Sequence, residues 1–249
     1  MRRSVDLEEL LDGPLDDAAT LRGNLRDLER VNRWLGGTSL SARGIDALAG
    51  ERESLTVLDV GTGAADIPAA LMARAARRGR RLHVTGIDSR PEVLSAAVDR
   101  RPDLGQTEGL ELHAGDGRSL PYPDRSFDIA HASLLLHHLD PAEAVALLRE
   151  MSRVARRGIV VNDLLRGRLA WLGAWSLSHL ATRNRYTRHD APLSVRRAYT
   201  VTELTALIAA AGLRVEASAV GPFGHRVMLA ATAGPHGGLP GAAFDRGSA

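Results

Sequence analysis

The fold is decided by the stretch Leu58-Asp59-Val60-Gly61-Thr62-Gly63-Ala64-Ala65-Asp66. It is typical of a strand that ends in a glycine turn and continues into a helix, because aliphatic residues precede two glycines that permit positive φ. The helix, predicted over 66–78, points its positive end at the turn. A second strand, predicted over 82–87, ends at Asp88, whose carboxylate can accept hydrogen bonds from both ribose hydroxyls. The sequence therefore predicts a nucleoside site at the ends of two parallel strands.

The turn alone does not select the cofactor. A dinucleotide fingerprint has Gly or Ala three residues after its second glycine, where this chain has Asp66. Asp59 precedes the first glycine by two residues, where a carboxylate is badly placed against a pyrophosphate but suits an ammonium or sulfonium group. An NAD-dependent oxidoreductase stays open as an alternative, because that class shares the strand, the glycine turn and the ribose carboxylate.

At these residues the chain resembles the class I S-adenosylmethionine-dependent methyltransferases, whose motif is Asp/Glu-x-Gly-x-Gly-x-Gly. Ala65 replaces the third glycine. The segment 114–130, AGDGRSLPYPDRSFDIA, is similar to the Gly-Asp-Ala-x-x-Leu-Pro-Phe-x-Asp-x-Ser-Phe-Asp segment of the small-molecule group that includes quinone-biosynthesis and polyketide-tailoring methyltransferases. The segment 131–139 continues this pattern, so the resemblance covers roughly residues 50–165.

The resemblance implies an α/β, Rossmann-like fold with a seven-stranded, mostly parallel sheet, N-terminal helices and a helical lid inserted after strand five. It also implies S-adenosylmethionine as the cofactor. The implied cofactor-binding residues are Asp59, Gly61 and Gly63 at the methionine part, Asp88 and Ser89 at the ribose, Asp116 and Gly117 at the adenine, and Ser133 near the methionine end. Each of the three acids also has a local alternative, as a helix cap or a turn residue.

Arg33 follows an N-terminal amphipathic helix whose apolar face recurs over 21–35. We expect this helix to fold over the cofactor, where Arg33 meets the cofactor carboxylate. The alternative is that Arg33 is an ordinary exposed residue at a helix end.

His137 and Asp163 are the candidate catalytic residues. They follow strands four and five, which are predicted near 127–132 and 158–162 and are neighbours in this fold. A phenol with a pKa of about 10 needs help to lose its proton at neutral pH, and a histidine with a pKa of about 6.5 suits that task. We therefore expect His137 to be the general base and Asp163 to orient it or contact the acceptor. The alternative places the two adjacent histidines in a turn cap and in packing.

Alternating strand and helix signals predict one methyltransferase domain over 1–232. Its predicted parts are an N-terminal helical cap over 1–50, a cofactor-binding core over 51–163, an acceptor insertion over 164–200 and a completing helix with two strands over 201–232. The tail over 233–249 is rich in Gly, Pro and Ala, and we expect it to be mobile.

The insertion predicts a lid for a small acceptor. Trp171 and Trp175 offer apolar surface, and several arginines offer positive charge, which together suit an aromatic, phenolic, quinol or polyketide-like molecule. The stretch 169–180 is too short to span a bilayer, so it forms a pocket wall or a peripheral membrane contact. The arginines are otherwise a solvated helix face.

Composition removes several classes of function. The 249 residues contain no Cys, which excludes disulfides and thiolate metal sites, and the nine His show no ligand spacing, so no metal site is predicted. All 32 basic residues are Arg, yet the formal charge is only +2, which gives little support to a nucleic-acid methyltransferase. A non-catalytic binding or assembly protein that retains the cofactor fold also stays open as an alternative. No apolar leader follows Met1, so we expect the protein to be cytoplasmic. We also expect a monomer or homodimer that binds no nucleic acid.

Overall fold

The computed structural model describes residues 1–4, 7–15 and 17–234. Within them seven strands form one sheet in the order β3-β2-β1-β4-β5-β7-β6. The strands are β1 (Ser54–Val60), β2 (Arg81–Asp88), β3 (Leu110–Ala114), β4 (Phe127–Ser133), β5 (Ala155–Leu164), β6 (Leu213–Val220) and β7 (Arg226–Ala233). The first five strands are parallel, and β7 runs antiparallel to both of its neighbours. The predicted α/β architecture is confirmed.

The helices follow the predicted alternation. They are α1 (Ala18–Trp34), α2 (Gly37–Ala49), α3 (Asp66–Ala76), α4 (Pro91–Arg100), α5 (Pro141–Val154), α6 (Arg168–Ala181), α7 (Arg185–Arg197) and α8 (Val201–Ala210). Local signals explain the starts of α5 and α8, since Asp140 and Thr200 each form a capping box with a glutamate three residues later. The predicted insertion after strand five therefore consists of α6 and α7.

The sheet carries helices on both faces because alternate strand residues point in opposite directions. Leu58 and Val161 pack on the face covered by α5 and α8. Val57 and Val160 point the other way and pack with α2 and α3. This two-sided burial explains why the central strands are nearly continuous runs of aliphatic residues.

Helix α1 covers the edge where the parallel strands end. Leu21 and Leu25 pack with residues of α4 and with Tyr186 of α7. This contact brings the N-terminal helix and the insertion to the same side of the sheet. The domain limits set from the sequence stay predictions, and most of the predicted tail, residues 235–249, lies outside the described residues.

No helix in the described part of the chain combines the length and apolar character needed to cross a bilayer.

Candidate active site

A cavity of about 590 Å³ opens at the carboxyl ends of the parallel strands. This is the position at which open α/β sheets bind ligands, and the volume lies within the range of about 300–1,000 Å³ that is usual for small-molecule sites. Its lining includes the predicted residues Asp59, Gly61, Gly63, Asp88, Ser89, Asp116, Gly117 and Ser133. The structure therefore brings eight of the nine predicted cofactor-binding residues together around one space.

The glycine turn has the backbone that the motif requires. Gly61 and Gly63 have φ of 70° and 53°, and Ala65 adopts φ of 52° in the place of the third glycine. The amides of Gly61 and Thr62 donate to the carbonyl of Ile87 at 2.8 and 3.0 Å, which fixes the turn against β2. A Cβ built on Gly63 meets no atom within 4 Å. The turn is therefore rigid, and it leaves open space beside Gly63.

Asp59 stabilises the glycine turn through its side chain. It accepts a hydrogen bond from the Thr62 hydroxyl at 2.7 Å and contacts Nδ1 of His131 at 2.5 Å. His131 lies opposite Asp59 on β4, and its Nε2 contacts the Ser41 hydroxyl at 2.8 Å. Both oxygens of Asp59 thus have protein partners, so the carboxylate positions the loop as well as lining the cavity.

Asp88 ends β2 and joins three segments of chain. One oxygen accepts from the amide of Gly63 at 2.9 Å, and the other accepts from the amide of Arg90 at 3.0 Å. Burial raises the pKa of Asp88 and outweighs the effect of these two hydrogen bonds. Each oxygen keeps a lone pair that a ribose hydroxyl can use. Asp88 therefore closes a turn before α4 without capping that helix, and its remaining lone pairs are available to a ligand.

Asp116, which is predicted to bind adenine, already has a protein partner. Asp116 is paired with Arg118 at 3.0 Å, and the hydrogen bonds from Arg118 lower the pKa of Asp116. Arg118 also reaches Glu143 at 2.6 Å. A Cβ on Gly117 would lie 2.4 Å from Val60, so this position requires glycine. The Asp116 carboxylate is thus shared with Arg118 before any ligand binds.

Arg33 is the predicted cofactor residue that the structure does not bring to the cavity. Its side chain is exposed, and its guanidinium lies 5.2 Å from the ring centre of Trp34. The reason is helical geometry, because the preceding residue, Asn32, occupies the inward face of α1 and is buried. Asn32 lines the cavity instead of Arg33.

A buried arginine lies behind the same end of the cavity. Arg226 donates to Asn162 at 2.7 Å, to Asn32 at 2.9 Å and to Ser133 at 2.6 Å. Arg226 is fully buried, and no carboxylate oxygen in the described part of the chain lies within 4.0 Å of its nitrogens. Burial lowers the pKa of Arg226 to about 10. The guanidinium still carries its charge at neutral pH, and only neutral groups touch it.

Asp66 completes this end of the cavity. It lines the space and accepts a hydrogen bond from Nδ2 of Asn32 at 3.0 Å. Burial raises the pKa of Asp66. The Asn32 amide therefore links the acid of α3 to the buried guanidinium of β7.

The predicted catalytic pair is in contact. Nδ1 of His137 lies 2.7 Å from Asp163, whose second oxygen accepts from the His137 amide at 3.2 Å. Both side chains are buried. Burial alone would raise the pKa of Asp163, but the adjacent His137 and the hydrogen bond from the Leu164 amide lower it. An ionised Asp163 holds the proton on Nδ1, which leaves Nε2 of His137 as the basic nitrogen.

His138, not His137, borders the cavity. Its Nδ1 lies 2.9 Å from Asp12, and its Nε2 lies 3.9 Å from Glu9. Burial opposes protonation, but the charges of Glu9 and Asp12 outweigh it and raise the pKa of His138 to about 9. His138 is thus a cation at neutral pH, and a cation cannot accept a proton from an acceptor molecule.

Glu9, His137 and His138 each place one ligand atom within 4.8 Å of the others, a grouping that the sequence did not predict. Protonated His138 and Arg197 lie 3.9 and 4.0 Å from Glu9, and each also lies 2.9 Å from Asp12. Two cations are therefore set against two carboxylates in this cluster.

Comparison with known proteins shows what this chain resembles. Residues 57–158 match the model of a methyltransferase domain. A solved S-adenosylmethionine-dependent methyltransferase from Aquifex aeolicus shares the fold at a TM-score of 0.60 and 22% identity, over 84% of this chain and 97% of that one. The resemblance to class I S-adenosylmethionine-dependent methyltransferases that the sequence predicts is confirmed.

Three further proteins are similar to this chain. Human N-acetylserotonin methyltransferase, solved in complex with SAM, has a TM-score of 0.66 at 18% identity over 94% of this chain and 63% of that one. The 2-phytyl-1,4-naphtoquinone methyltransferase of Synechococcus elongatus is 29% identical over 155 residues, 62% of this chain and 63% of the relative. Phosphatidylethanolamine N-methyltransferase of Cereibacter sphaeroides is 36% identical over 89 residues, 34% and 43%. The chain thus spans less than two thirds of the length of these two curated relatives.

Several polar groups in and around the cavity were not predicted from the sequence. Asn32, His138 and Arg226 come from three distant segments, and Glu9 comes from the N-terminal segment. Only His138 could have been found from the sequence, because it is adjacent to His137, the predicted general base. Arg226 begins an ordinary strand pattern, and nothing in its local sequence shows that the fold buries its charge.

Proposed function

We propose that this chain transfers a methyl group from S-adenosylmethionine to a small, largely apolar acceptor, such as an aromatic, phenolic, quinol or polyketide-like molecule, at oxygen or carbon. The observation that carries the proposal is the cavity at the strand ends, where a rigid glycine turn meets Asp59, Asp66 and Asp88. A relative named for a phytylated naphthoquinone supports the acceptor class.

The residues present fit this cofactor. When bound, S-adenosylmethionine supplies an electrophilic methyl group on a positively charged sulfur. Asp59 and Asp66 make the amino-acid end of the cavity acidic, which suits a ligand with sulfonium and ammonium charges. Asp88 offers the ribose two carboxylate oxygens, and the open space at Gly63 lets the ligand approach the backbone closely.

Arg226 fits the one negative charge of the ligand. Because Arg226 donates to the Ser133 hydroxyl, the hydroxyl proton of Ser133 is free to point into the cavity. The amide of Asn32, whose oxygen is held by Arg226, likewise keeps one N–H free. We propose that Ser133 and Asn32, oriented by Arg226, bind the methionine carboxylate, which is the role predicted from the sequence for Arg33.

Methyl transfer is an in-line displacement, so the chain must position the acceptor, exclude water and take up a proton. We propose that His137 accepts this proton at Nε2 while Asp163 holds Nδ1. Nε2 now faces Glu9, whose nearest oxygen is 3.9 Å away. The acceptor must therefore displace the Glu9 carboxylate before His137 can act.

A paired measurement tests the base. His137→Ala should lower kcat by roughly 10²-fold or more while the affinity for S-adenosylhomocysteine stays unchanged, because general bases contribute about that much. The control is His113→Ala, at an exposed position. Full activity of His137→Ala would leave positioning alone as the source of catalysis.

The function itself is tested by calorimetry and mass spectrometry. The protein should bind S-adenosylhomocysteine and not NAD. Incubation with methyl-labelled S-adenosylmethionine and a panel of phenols, quinols and polyketides should add one labelled methyl group to one acceptor. NAD binding without S-adenosylhomocysteine binding would refute the proposal.

A further inference from the structure

Helix α6 presents an apolar stripe that no other part of the described chain covers. Leu169, Leu172, Leu177 and Leu180 recur at intervals of three to five residues, which places them on one helical face. Leu169 is 83% exposed and Leu180 is 87% exposed. The opposite face is the buried one, since Ser178 is 4% exposed. A row of exposed leucines on a single helix face is unusual for a surface that only meets water.

The charged residues of the segment that contains this stripe have one sign. Residues 164–189 contain five arginines and no Asp or Glu. Arg168, Arg183 and Arg185 are exposed, and within the described residues they make no ion pair or hydrogen bond. Arg168 is the first residue of α6, while Arg183 follows the last residue of α6 by two positions and Arg185 begins α7. The helix therefore combines a leucine face with unpaired cations at both ends.

We propose that α6 docks this methyltransferase on an anionic membrane surface, with its leucine face in the interface and its arginines at the lipid headgroups. This is the arrangement of helices that lie in the plane of a bilayer. The 14 residues of α6 span about 21 Å, which is shorter than the hydrocarbon core, so the helix lies on the membrane and does not cross it.

Charge argues against a second copy of the chain as the occupant. A two-fold pairing of α6 with its copy, helices antiparallel, would set Arg168 against Arg183 and Arg185 of the other chain, with no acid within 164–189 to separate them. The leucines argue against nucleic acid, because a phosphate backbone gains nothing from four exposed aliphatic side chains. An anionic bilayer satisfies both the apolar and the cationic parts of the surface.

The test uses the full chain and sedimentation with two kinds of vesicle, pure phosphatidylcholine and an equal mixture of phosphatidylcholine and phosphatidylglycerol. We expect binding to the mixed vesicles, little binding to the neutral ones, and weaker binding in high salt. The double variant Leu169→Glu/Leu180→Glu should lose at least about tenfold in partition coefficient. The control Val201→Glu, which changes a 40% exposed residue at the start of α8, should bind as the unchanged protein does.

A second variant separates charge from apolar contact. Arg168→Gln/Arg183→Gln/Arg185→Gln should reduce binding to the mixed vesicles toward the level of the neutral ones. S-adenosylhomocysteine binding by each variant should stay unchanged, which shows that the fold is intact. Absence of binding to mixed vesicles would overturn the proposal. So would a dimer in light scattering that the leucine variant dissociates, or binding to duplex DNA that only the arginine variant abolishes.

Discussion

At the scale of single residues, the site depends on acids whose environment opposes their charge. Asp88 is held ionised by the amides of Gly63 and Arg90, although burial raises its pKa. A buried carboxylate of this kind is costly unless something uses its remaining lone pairs. Ribose hydroxyls can donate hydrogen bonds to these lone pairs and so offset the cost of burial. The affinity of the site for nucleosides should therefore depend on Asp88.

Asp88→Asn should weaken S-adenosylhomocysteine binding by about 10- to 100-fold, because a hydrogen bond to a charged group is worth about 1.5–3 kcal/mol. Affinity of the unchanged protein should fall as pH decreases, and the fall should begin above pH 3.8, the ordinary pKa, since the raised pKa protonates the carboxylate earlier. Calorimetry over pH measures both effects. Asp103→Asn, an exposed position, is the control, and equal losses in both variants would contradict the role of Asp88.

Arg226 predicts a preference for ligands that carry a carboxylate. The unchanged protein should bind S-adenosylhomocysteine more tightly than its decarboxylated analogue, and Ser133→Ala should reduce that difference by about tenfold through loss of one charge-assisted hydrogen bond. Arg226→Met should remove the difference, and circular dichroism checks that this buried change leaves the sheet folded. Ser39→Ala, outside the cavity, is the control. An unchanged ratio in a folded Ser133→Ala protein would contradict the assignment.

At the scale of elements, the N-terminal segment is attached through charge. Glu9 and Asp12 lie against His138 and Arg197, and Leu10 and Leu11 donate their amides to Asp190 on α7. These contacts join residues more than 120 positions apart. The stability of this attachment therefore depends on the protonation of His138.

The folded protein should lose stability as pH rises from 6.5 to about 9. The pKa of His138 is raised to about 9 in the folded state, so its contribution is complete below 6.5 and disappears as pH passes through 9. The shift corresponds to roughly 3 kcal/mol at most. Urea unfolding at pH 6.5 and pH 9.5 measures it. His138→Gln should lack this decrease, and the same decrease in His138→Gln would show that another group is responsible.

Strand and helix periodicity predicted the elements well, and the errors occur where tertiary partners act. Strand β5 was predicted over 158–162 but begins at Ala155. Arg156 and Arg157 lie in a strand because Asp128 on β4 and the carbonyl of Leu48 on α2 accept from their guanidinium groups. Local propensity contains no information about such partners. Helix α3 ends before the predicted residue 78, because Gly79 turns the chain with φ of 69°.

The sequence predicted those residues of the cavity that lie at the carboxyl ends of the parallel strands. Residues at the carboxyl ends of parallel strands meet in any sheet of this order, so Asp59, Asp88 and the His137–Asp163 pair followed from position alone. Asn32 and Arg226 are 194 residues apart, and only the packing of α1 against the sheet edge brings them into contact. Choosing between Arg33 and Asn32 required the rotation of α1, which an amphipathic pattern fixes only approximately.

At the scale of the whole molecule, the cavity lies between the sheet and the N-terminal part of the chain. The sheet contributes the glycine turn and Asp88, while Leu11 and Asp12 of the N-terminal segment and Leu28 of α1 line the other side. Arg90 ties the two sides together by donating to the carbonyls of Leu11 and Gly13. A ligand in this cavity contacts both the sheet and the N-terminal part of the chain. Its binding free energy therefore stabilises the association of these two parts.

S-adenosylhomocysteine at 100 times its Kd should therefore stabilise the fold by about 2.7 kcal/mol, which for a chain of this size raises Tm by roughly 5–10 °C. Hydrogen exchange should slow both in the glycine turn and in residues 7–15 and 18–34, because the ligand holds the N-terminal segment and α1 on the sheet. Asp88→Asn at the same ligand concentration should show a smaller shift in Tm. Protection confined to the glycine turn would mean that the N-terminal segment closes the cavity independently of the ligand.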